Sequence, residues 1–297
     1  MTRHTPIIFV AIFFAVLLTA CDSQRQPLPV EPPVAVPTEP QRPPENVAVE
    51  TPPGQRQLKL DNADVDDAEL ERICRTNPEL VELTLSATKI TDAGLPHLTL
   101  LQKLKKIRLS NTAITDAGMT TLAKCERLED VDISQTKIGD FGVWELRALP
   151  RLKSLNLYLT LVTDSGLNSF RKGDHCSAAK IERLNLDKCP ITDDGLAALA
   201  SLTSLAWIHL GGTAITDTGL AELAKIEPLK EAIVTKTETT LEGIEQLRRN
   251  RPDMKVRDNV TENTPREEID EAAEYRKELK EIREKGRQTA KTTEPQS

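Results

Sequence analysis

The chain has 297 residues, a formal net charge of −7 and only 3% aromatic residues. This length allows one or two domains, and the acidic balance argues against a protein that binds nucleic acid. Because aromatic side chains are scarce, a core has to be built from aliphatic residues, as it is in regular repeat proteins.

The first 20 residues have the pattern of a bacterial export signal. Arg3 supplies a positive charge, and the apolar run IIFVAIFFAVLL follows at residues 7–18. As a helix, this run would reach only about 18 Å, which is too short for a stable bilayer span. The next residues, LTAC at 18–21, resemble the lipobox of bacterial lipoproteins. We therefore predict a lipoprotein signal peptide at residues 1–20.

The lipobox resemblance implies a lipid-anchored protein of a bacterial membrane. Cys21 would carry the lipid, and several acyl chains anchor firmly where one chain binds only marginally. Asp22 resembles the inner-membrane retention signal of enterobacterial lipoproteins, but other bacteria sort differently, so inner and outer membrane both stay open. Ordinary secretory cleavage near Ala20, with Cys21 unmodified, is the alternative interpretation.

Residues 21–55 are rich in proline. Ten of the 19 prolines of the chain lie between Asp22 and Gln55. Proline lacks an amide donor and has a fixed φ, so this segment is predicted to be extended and partly polyproline-like. We interpret it as a spacer of up to roughly 100 Å between the membrane and a folded domain. A ligand for a proline-recognition domain is the alternative.

Residues 56–257 contain about eight tandem repeats. They begin near Gln55, Leu80, Leu104, Leu128, Leu152, Ile181, Leu205 and Leu229, 24 residues apart except after the first and the fifth. Taking the starting residue as position 1, apolar residues recur at positions 4, 6, 11, 16 and 19. The pattern resembles the leucine-rich repeat, L-x-x-L-x-L-x-x-N/C-x-L. Its second half, as in ITDAGL, is similar to short bacterial repeats related to the ribonuclease-inhibitor-like and cysteine-containing types.

The spacing of the apolar residues predicts the structure of each repeat. Positions 4 and 6 alternate with the period of a strand, whereas positions 16 and 19 lie one helical turn apart. We therefore predict an α/β fold, a leucine-rich-repeat solenoid or horseshoe, with a parallel sheet on the concave face and short helices on the convex face. Asp66 and Glu69 have the spacing of a capping box, and RPDMKV at 251–256 fits a terminating strand. Residues 258–297 are predicted to be a polar helical and disordered tail.

An aspartate two residues before a glycine recurs along the repeats, at Asp92, Asp116, Asp140, Asp164, Asp193 and Asp217. An active site needs different groups at one point, whereas a residue repeated every 24 positions forms a line along a solenoid. We interpret the aspartate and the threonine before it as caps of the convex helices. The glycine would allow adjacent turns to approach closely or adopt an unusual backbone angle.

The sequence predicts no enzyme, no cofactor and no metal site. Residues 173–177, GDHCS, bring together Asp174, His175 and Cys176 in an insertion, but the spacing fits no zinc pattern. An enzyme that uses this insertion is the weakest functional alternative. Cys125 and Cys189 fall at core positions of their repeats, while the pairing of the four cysteines after Cys21 stays open: Cys74, Cys125, Cys176 and Cys189.

The concave face is the predicted working surface, since strand positions 3, 5 and 7 are not needed for the core. Lys106 with Asp130, and Arg108 with Asp132, are predicted cross-strand ion pairs. Aromatic residues are enriched at interface hot spots. The candidate binding patch therefore comprises Tyr158, Arg183, Asp187, Trp207 and His209. A merely solvated sheet is one alternative, and a convex contact at Trp144 is another.

We therefore expect a non-catalytic, membrane-anchored leucine-rich-repeat protein. It would recognise a protein or another macromolecule of the bacterial cell envelope through its concave face, and the membrane through its lipid. The alternative is a structural envelope lipoprotein without a specific ligand.

Overall fold

The computed structural model describes residues 56–171 and 180–259. The predicted signal peptide, the lipidated Cys21 with Asp22, the tether at 21–55 and the insertion at 173–177 lie outside the described residues. So does the predicted tail at 258–297, except for its first two residues. None of the helices in the described ranges combines the length and the apolar character that a bilayer crossing requires.

The described residues form a solenoid on a parallel sheet, whose nine strands follow one another in chain order. The strands are β1 Gln57–Lys59, β2 Glu82–Thr84, β3 Lys106–Arg108, β4 Asp130–Asp132, β5 Ser154–Asn156, β6 Arg183–Asn185, β7 Trp207–His209, β8 Glu231–Ile233 and β9 Lys255–Arg257. Register partners are equivalent residues of adjacent repeats, as for Leu83 with Ile107. The predicted sheet and the terminating strand are confirmed.

A short helix follows each strand from β1 to β8, on the opposite face of the repeat. The α-helices are α1 Asp67–Thr76, α2 Asp116–Leu122, α3 Asp140–Leu146, α4 Asp164–Asn168, α5 Asp193–Leu199, α6 Asp217–Ala224 and α7 Leu241–Asn250. The second repeat differs, because a 3-10 helix at Leu95–Leu100 replaces the helix that we predicted to start at Thr91 or Asp92. Pro96 has no amide hydrogen for a bond to the Asp92 carbonyl, so an α-helix cannot begin there.

The core is one continuous cluster of aliphatic side chains between the sheet and the helices, running from Leu58 to Val256. In the second repeat, all five predicted apolar positions are fully buried: Leu83, Leu85, Ile90, Leu95 and Leu98. No single repeat encloses its own apolar face, so stacking supplies the burial.

A left-handed residue at position 8 turns the chain after each strand from β1 to β8. Its φ lies between 54° and 62° at Asn62, Ala87, Asn111, Gln135, Leu159, Lys188, Gly212 and Lys236. In six of the eight repeats a threonine follows and closes the turn. Thr88 Oγ1, for example, donates to the Leu85 carbonyl at 2.7 Å. Cys189 takes this place in the sixth repeat, and its thiol donates to the Leu157 carbonyl at 2.9 Å.

The recurring aspartates connect each repeat to the next one. Asp92 accepts hydrogen bonds from the Thr115 amide at 2.8 Å and the Thr115 hydroxyl at 2.6 Å. Thr115 in turn caps α2 by accepting from the Ala117 amide. Hence threonine caps the helix of its own repeat, as predicted, while the aspartate holds the threonine of the following repeat.

We call this series the carboxylate ladder, and it runs through Asp67, Asp92, Asp116, Asp140, Asp164, Asp193 and Asp217. The repeat glycine makes room for it. A Cβ at Gly118 would lie 2.5 Å from Asp92 Oδ1. The predicted close approach of adjacent turns is therefore confirmed, and the aspartates are architectural.

Three cysteines lie in the described part of the chain, and all are buried, unpaired thiols: Cys74, Cys125 and Cys189. Burial raises the pKa of Cys74 to about 12 and the pKa of Cys125 and Cys189 to about 11. The prediction that Cys125 and Cys189 are core residues is confirmed, while Cys176 lies outside the described residues.

Both ends of the solenoid depart from the repeat. At the first helix, Asp66 accepts from the Glu69 amide at 2.9 Å, so one half of the predicted capping box forms. The Glu69 carboxylate pairs with Arg72 at 2.6 Å instead. At the other end, Leu241 stands at the ladder position and is 46% exposed. Arg251 closes the last turn by donating to backbone carbonyls, including those of Ile226 at 2.9 Å and Leu229 at 2.8 Å.

Candidate recognition groove on the concave face

The parallel register aligns strand positions 3 and 5 in two rows across the concave face. In one row, Asp130, Ser154 and Arg183 are successive partners on β4, β5 and β6. Ser154 has the smallest of the three side chains, so the row dips at β5.

A shallow polar groove of about 250 Å³ occupies this dip. The groove is lined by Arg108, Asp130, Asp132, Ser154, Leu155, Asn156, Arg183, Asn185 and Trp207. Hydrogen-bonding side chains dominate its lining, which suits a polar chain segment better than an apolar ligand.

One wall of the groove contains a closed ion pair. Arg108 Nη1 lies 3.2 Å from Asp132 Oδ2, so this predicted cross-strand pair is confirmed. Lys106 and Asp130 are register partners, yet among the described residues their side chains form no ion pair. The neighbouring pair joins Lys105 and Glu129 at 2.8 Å instead. The Asp130 carboxylate is thus left facing the groove.

The opposite wall is an arginine stacked on an aromatic ring. The Arg183 guanidinium carbon lies 4.3 Å from the centroid of the Trp207 ring, a distance typical of a cation–π contact. Trp207 also contacts the His209 ring edge-on, with 6.0 Å between centroids. These contacts restrict the long Arg183 side chain, which reduces the entropy lost when a ligand binds it.

Within the described ranges, two amides on the groove floor have no acceptor for their Nδ2 groups. Asn156 Oδ1 accepts from the Tyr158 amide at 3.1 Å, and Asn185 Oδ1 accepts from the Asp187 amide at 3.0 Å. These bonds fix the two side chains with their Nδ2 groups as the remaining polar ends. Because Asn156 and Asn185 are register partners, the two donors lie side by side.

Asp187 and His209 form a half-buried pair beside Trp207, outside the residues that line the groove. Burial raises the pKa of the Asp187 carboxyl, although His209 attracts its charge. Burial likewise lowers the pKa of His209, against the attraction of Asp187. Both side chains converge over Gly211, where a Cβ would lie 2.8 Å from Asp187 Oδ1 and 2.9 Å from His209 Nε2.

The structure brings part of the predicted patch together. Arg183 and Trp207 line the groove, and His209 contacts Trp207 and lies beside Asp187. The Tyr158 ring lies 5.6 Å from Lys188 Nζ, and Tyr158, Asp187 and His209 do not line the groove. The groove floor, which is formed by Ser154, Asn156 and Asn185, was not part of the predicted patch. The signal that was available is the small Ser154 between two long charged residues in register.

A second exposed aromatic group lies on the convex side. Phe141 and Trp144 of α3 stack with 5.8 Å between ring centroids, and Arg147 covers the Trp144 ring at 4.4 Å. The two aromatic side chains are 53% and 47% exposed. Trp144 was a predicted convex alternative, and Phe141 was not anticipated.

The described residues offer no obvious metal site, since no three His, Cys, Asp or Glu side chains gather in a suitable arrangement there. The predicted insertion at 173–177 lies outside this part of the chain. The carboxylates of the ladder are each occupied by amide or hydroxyl donors, as for Asp140 with Thr163 at 2.7 Å.

Comparisons with known proteins agree with this architecture. Residues 101–123 and 178–200 match a family model described as Leucine Rich repeat. No curated protein matches the sequence. Among solved structures, the chain is similar to an internalin from Listeria monocytogenes strain 4b F2365, with a TM-score of 0.54 and 19% identity.

The likeness to the internalin covers 69% of this chain and 54% of that chain, so the present chain spans about half the length of that protein. At this level of identity the likeness concerns the fold alone. Taken with the matched repeats and the nine-stranded parallel sheet, it leads to one conclusion. The chain carries leucine-rich repeats and folds as a leucine-rich-repeat solenoid.

Proposed function

We propose that this protein is a non-catalytic recognition protein that binds another macromolecule through the groove of its concave face. Solenoids of this type generally offer an extended concave surface for binding. The observation that carries the proposal is the Arg183–Trp207 stack on the wall of the groove. Tryptophan and arginine are the residue types most enriched at binding hot spots.

Different residues of the solenoid build the fold and line the groove. The core leucines and the ladder carboxylates are occupied by contacts between repeats, and the turn threonines by hydrogen bonds within their own repeat. The residues that line the groove differ from one strand to the next and make few of these contacts. Their side chains can therefore contact a partner without disturbing the fold, which is the arrangement expected of a binding scaffold.

We further propose that Cys21 carries a lipid and that the protein acts at a bacterial cell envelope. The support is the sequence alone: the short apolar run, the lipobox-like LTAC and the proline-rich segment that follows. Asp22 favours the inner membrane. Cys21→Ser should abolish metabolic labelling with a palmitate analogue, and labelling that persists would contradict the lipid anchor.

Cross-linking in intact cells, followed by affinity purification of the full chain, tests the recognition proposal. A specific partner should be captured by the wild type and lost in the Trp207→Ala and Arg183→Ala variants. Asp194→Ala, on the exposed side of α5, is the matched control and should retain the partner. Capture that is unchanged by both groove variants would refute the concave site and favour a structural envelope role.

A further inference from the structure

The groove contains one unpaired charge of each sign. Arg108 is neutralised by Asp132 at 3.2 Å. Across the described part of the chain, neither Asp130 nor Arg183 has an oppositely charged group within ion-pair distance. The Arg183 guanidinium stacks on the neutral Trp207 ring. The Asp130 carboxylate and the Arg183 guanidinium can therefore pair with charges on a ligand.

The two charges lie on strands that are separated by one strand. Asp130 pairs in register with Ser154, and Ser154 pairs with Arg183. Adjacent strands are about 4.8 Å apart, so the two backbones are about 10 Å apart. The short Ser154 side chain leaves the space between the carboxylate and the guanidinium open.

An extended peptide fits this spacing. Side chains at residues i and i+2 of an extended chain point to the same side and are separated by about 7 Å. Side chains as long as Lys, Arg or Glu can cover the remaining few ångströms. Successive carbonyls of an extended chain point to opposite sides, so one carbonyl between the two charged side chains would face the Nδ2 donors of Asn156 and Asn185.

Other ligand classes use the groove less completely. A purely anionic ligand would satisfy Arg183 but would be repelled by Asp130, and a purely cationic ligand would meet the converse repulsion. A neutral carbohydrate would engage the amides but neither charge. Only a ligand with both signs of charge satisfies all four groups.

We propose, on the basis of the proposed recognition function, that the groove binds an extended peptide segment with one basic and one acidic side chain two residues apart. The basic side chain pairs with Asp130, and the acidic side chain pairs with Arg183. One peptide carbonyl between them faces the row of Asn156 and Asn185 and accepts from their Nδ2 groups.

Fluorescence titration of the full chain tests this assignment. The chain has two tryptophans, so a Trp144→Phe background leaves Trp207 as the sole reporter in the groove. The probes are eight-residue synthetic peptides with a central Lys-Thr-Glu, Glu-Thr-Lys or Gln-Thr-Gln. One charged order should bind about fivefold to tenfold more tightly than the neutral peptide, as expected for two partly exposed ion pairs.

A reciprocal charge swap makes the test specific. The Asp130→Arg/Arg183→Asp double variant should prefer the opposite peptide order. The matched control, Asp194→Arg/Arg127→Asp, changes exposed charges outside the groove and should keep the wild-type preference. Equal binding of all peptides, or an order preference that survives the swap in the groove, would overturn the peptide assignment.

The outcome is separable from the test of the proposed function. Loss of the cross-linked partner on Trp207→Ala, together with no charge-order preference, would retain the recognition site and reject this ligand class. A partner that is unaffected by Trp207→Ala would reject both.

Discussion

Gly139→Thr should stabilise the solenoid. Gly139 replaces the capping threonine in the fourth repeat, and only its amide bonds to Asp116, at 2.7 Å. The helix that follows, α3, has no side-chain cap. Threonine fits the backbone here, since φ is −120° and ψ is −154°. The equivalent Thr163 donates its hydroxyl to Asp140 at 2.7 Å and caps α4.

The expected gain is about 1 kcal/mol in the free energy of unfolding. A partly exposed hydroxyl–carboxylate bond contributes about 1 kcal/mol, and the cap adds a few tenths. The more restricted unfolded chain adds about 0.5 kcal/mol. Against this, the new Cβ would lie 3.3 Å from Asp116 Oδ2, so the carboxylate has to shift by a few tenths of an ångström. We expect the midpoint temperature to rise by about 2–4 °C.

Urea unfolding monitored by circular dichroism measures this gain, and two controls isolate its cause. In an Asp116→Ala background, most of the gain should disappear, because the new hydroxyl then lacks its acceptor. Gly142→Ala should lower the free energy of unfolding, because its Cβ would lie 2.6 Å from Asp116 Oδ1 and 2.7 Å from Ile138 Cγ2. Overpacking should outweigh the gain in helix propensity, leaving a net loss of about 1–2 kcal/mol. If Gly139→Thr leaves stability unchanged or lowers it, the ladder is not the source of stability that we infer.

The remaining predictions concern pH, thiols and the end of the solenoid. Burial lowers the pKa of His209 in the folded state, so the unfolded chain binds the extra proton and stability falls as the pH drops below about 6.5. His209→Gln should flatten the pH dependence of the urea midpoint below about pH 6.5, and an unchanged slope would argue against this origin. In a Cys21→Ser/Cys176→Ser variant, iodoacetamide at pH 8 should label the native protein very slowly and the unfolded protein fully. Burial keeps the three described thiols protonated in the native protein. Fast labelling of the native protein would contradict their burial. Arg251→Met should lower the free energy of unfolding by about 2–3 kcal/mol, because the carbonyls of Ala224, Ile226, Glu227 and Leu229 lose a charged donor. Urea unfolding measures this loss, and Arg249→Met, at an exposed position of α7, should change stability little.

The fold could be predicted because the apolar residues that form its core recur at a regular spacing. The second to eighth repeats bury the same five positions, so the sequence pattern indicates directly which residues face the core. The 3-10 helix of the second repeat was not predicted, because the proline at position 17 prevents the α-helix that the apolar pattern indicates. The role of the aspartates was only half predicted, because sequence spacing shows the line of carboxylates but not the threonine of the next repeat that each one holds.

The groove was harder to predict than the fold. Its walls depend on which of two neighbouring charge pairs forms an ion pair. The sequence alone does not distinguish Lys106–Asp130 from Arg108–Asp132, because both are register partners on the same strands. Only the structure shows that the second pair closes and that Asp130 stays open. The depression at Ser154 likewise arises from a difference in side-chain length between register partners, which is invisible without the register.

The carboxylate ladder gives the solenoid a polarity. Each repeat is completed by the repeat before it, and the first acceptor, Asp67, already serves Thr91 of the second repeat. Shortening the array from its carboxyl end leaves every remaining threonine held, whereas removal of the first repeat strips Thr91 of its acceptor. Since a chain is synthesised from its amino terminus, each emerging repeat meets a neighbour whose carboxylate is already in place. The array can therefore grow turn by turn during translation, and the replacement of the ladder aspartate by Leu241 marks where this growth ends.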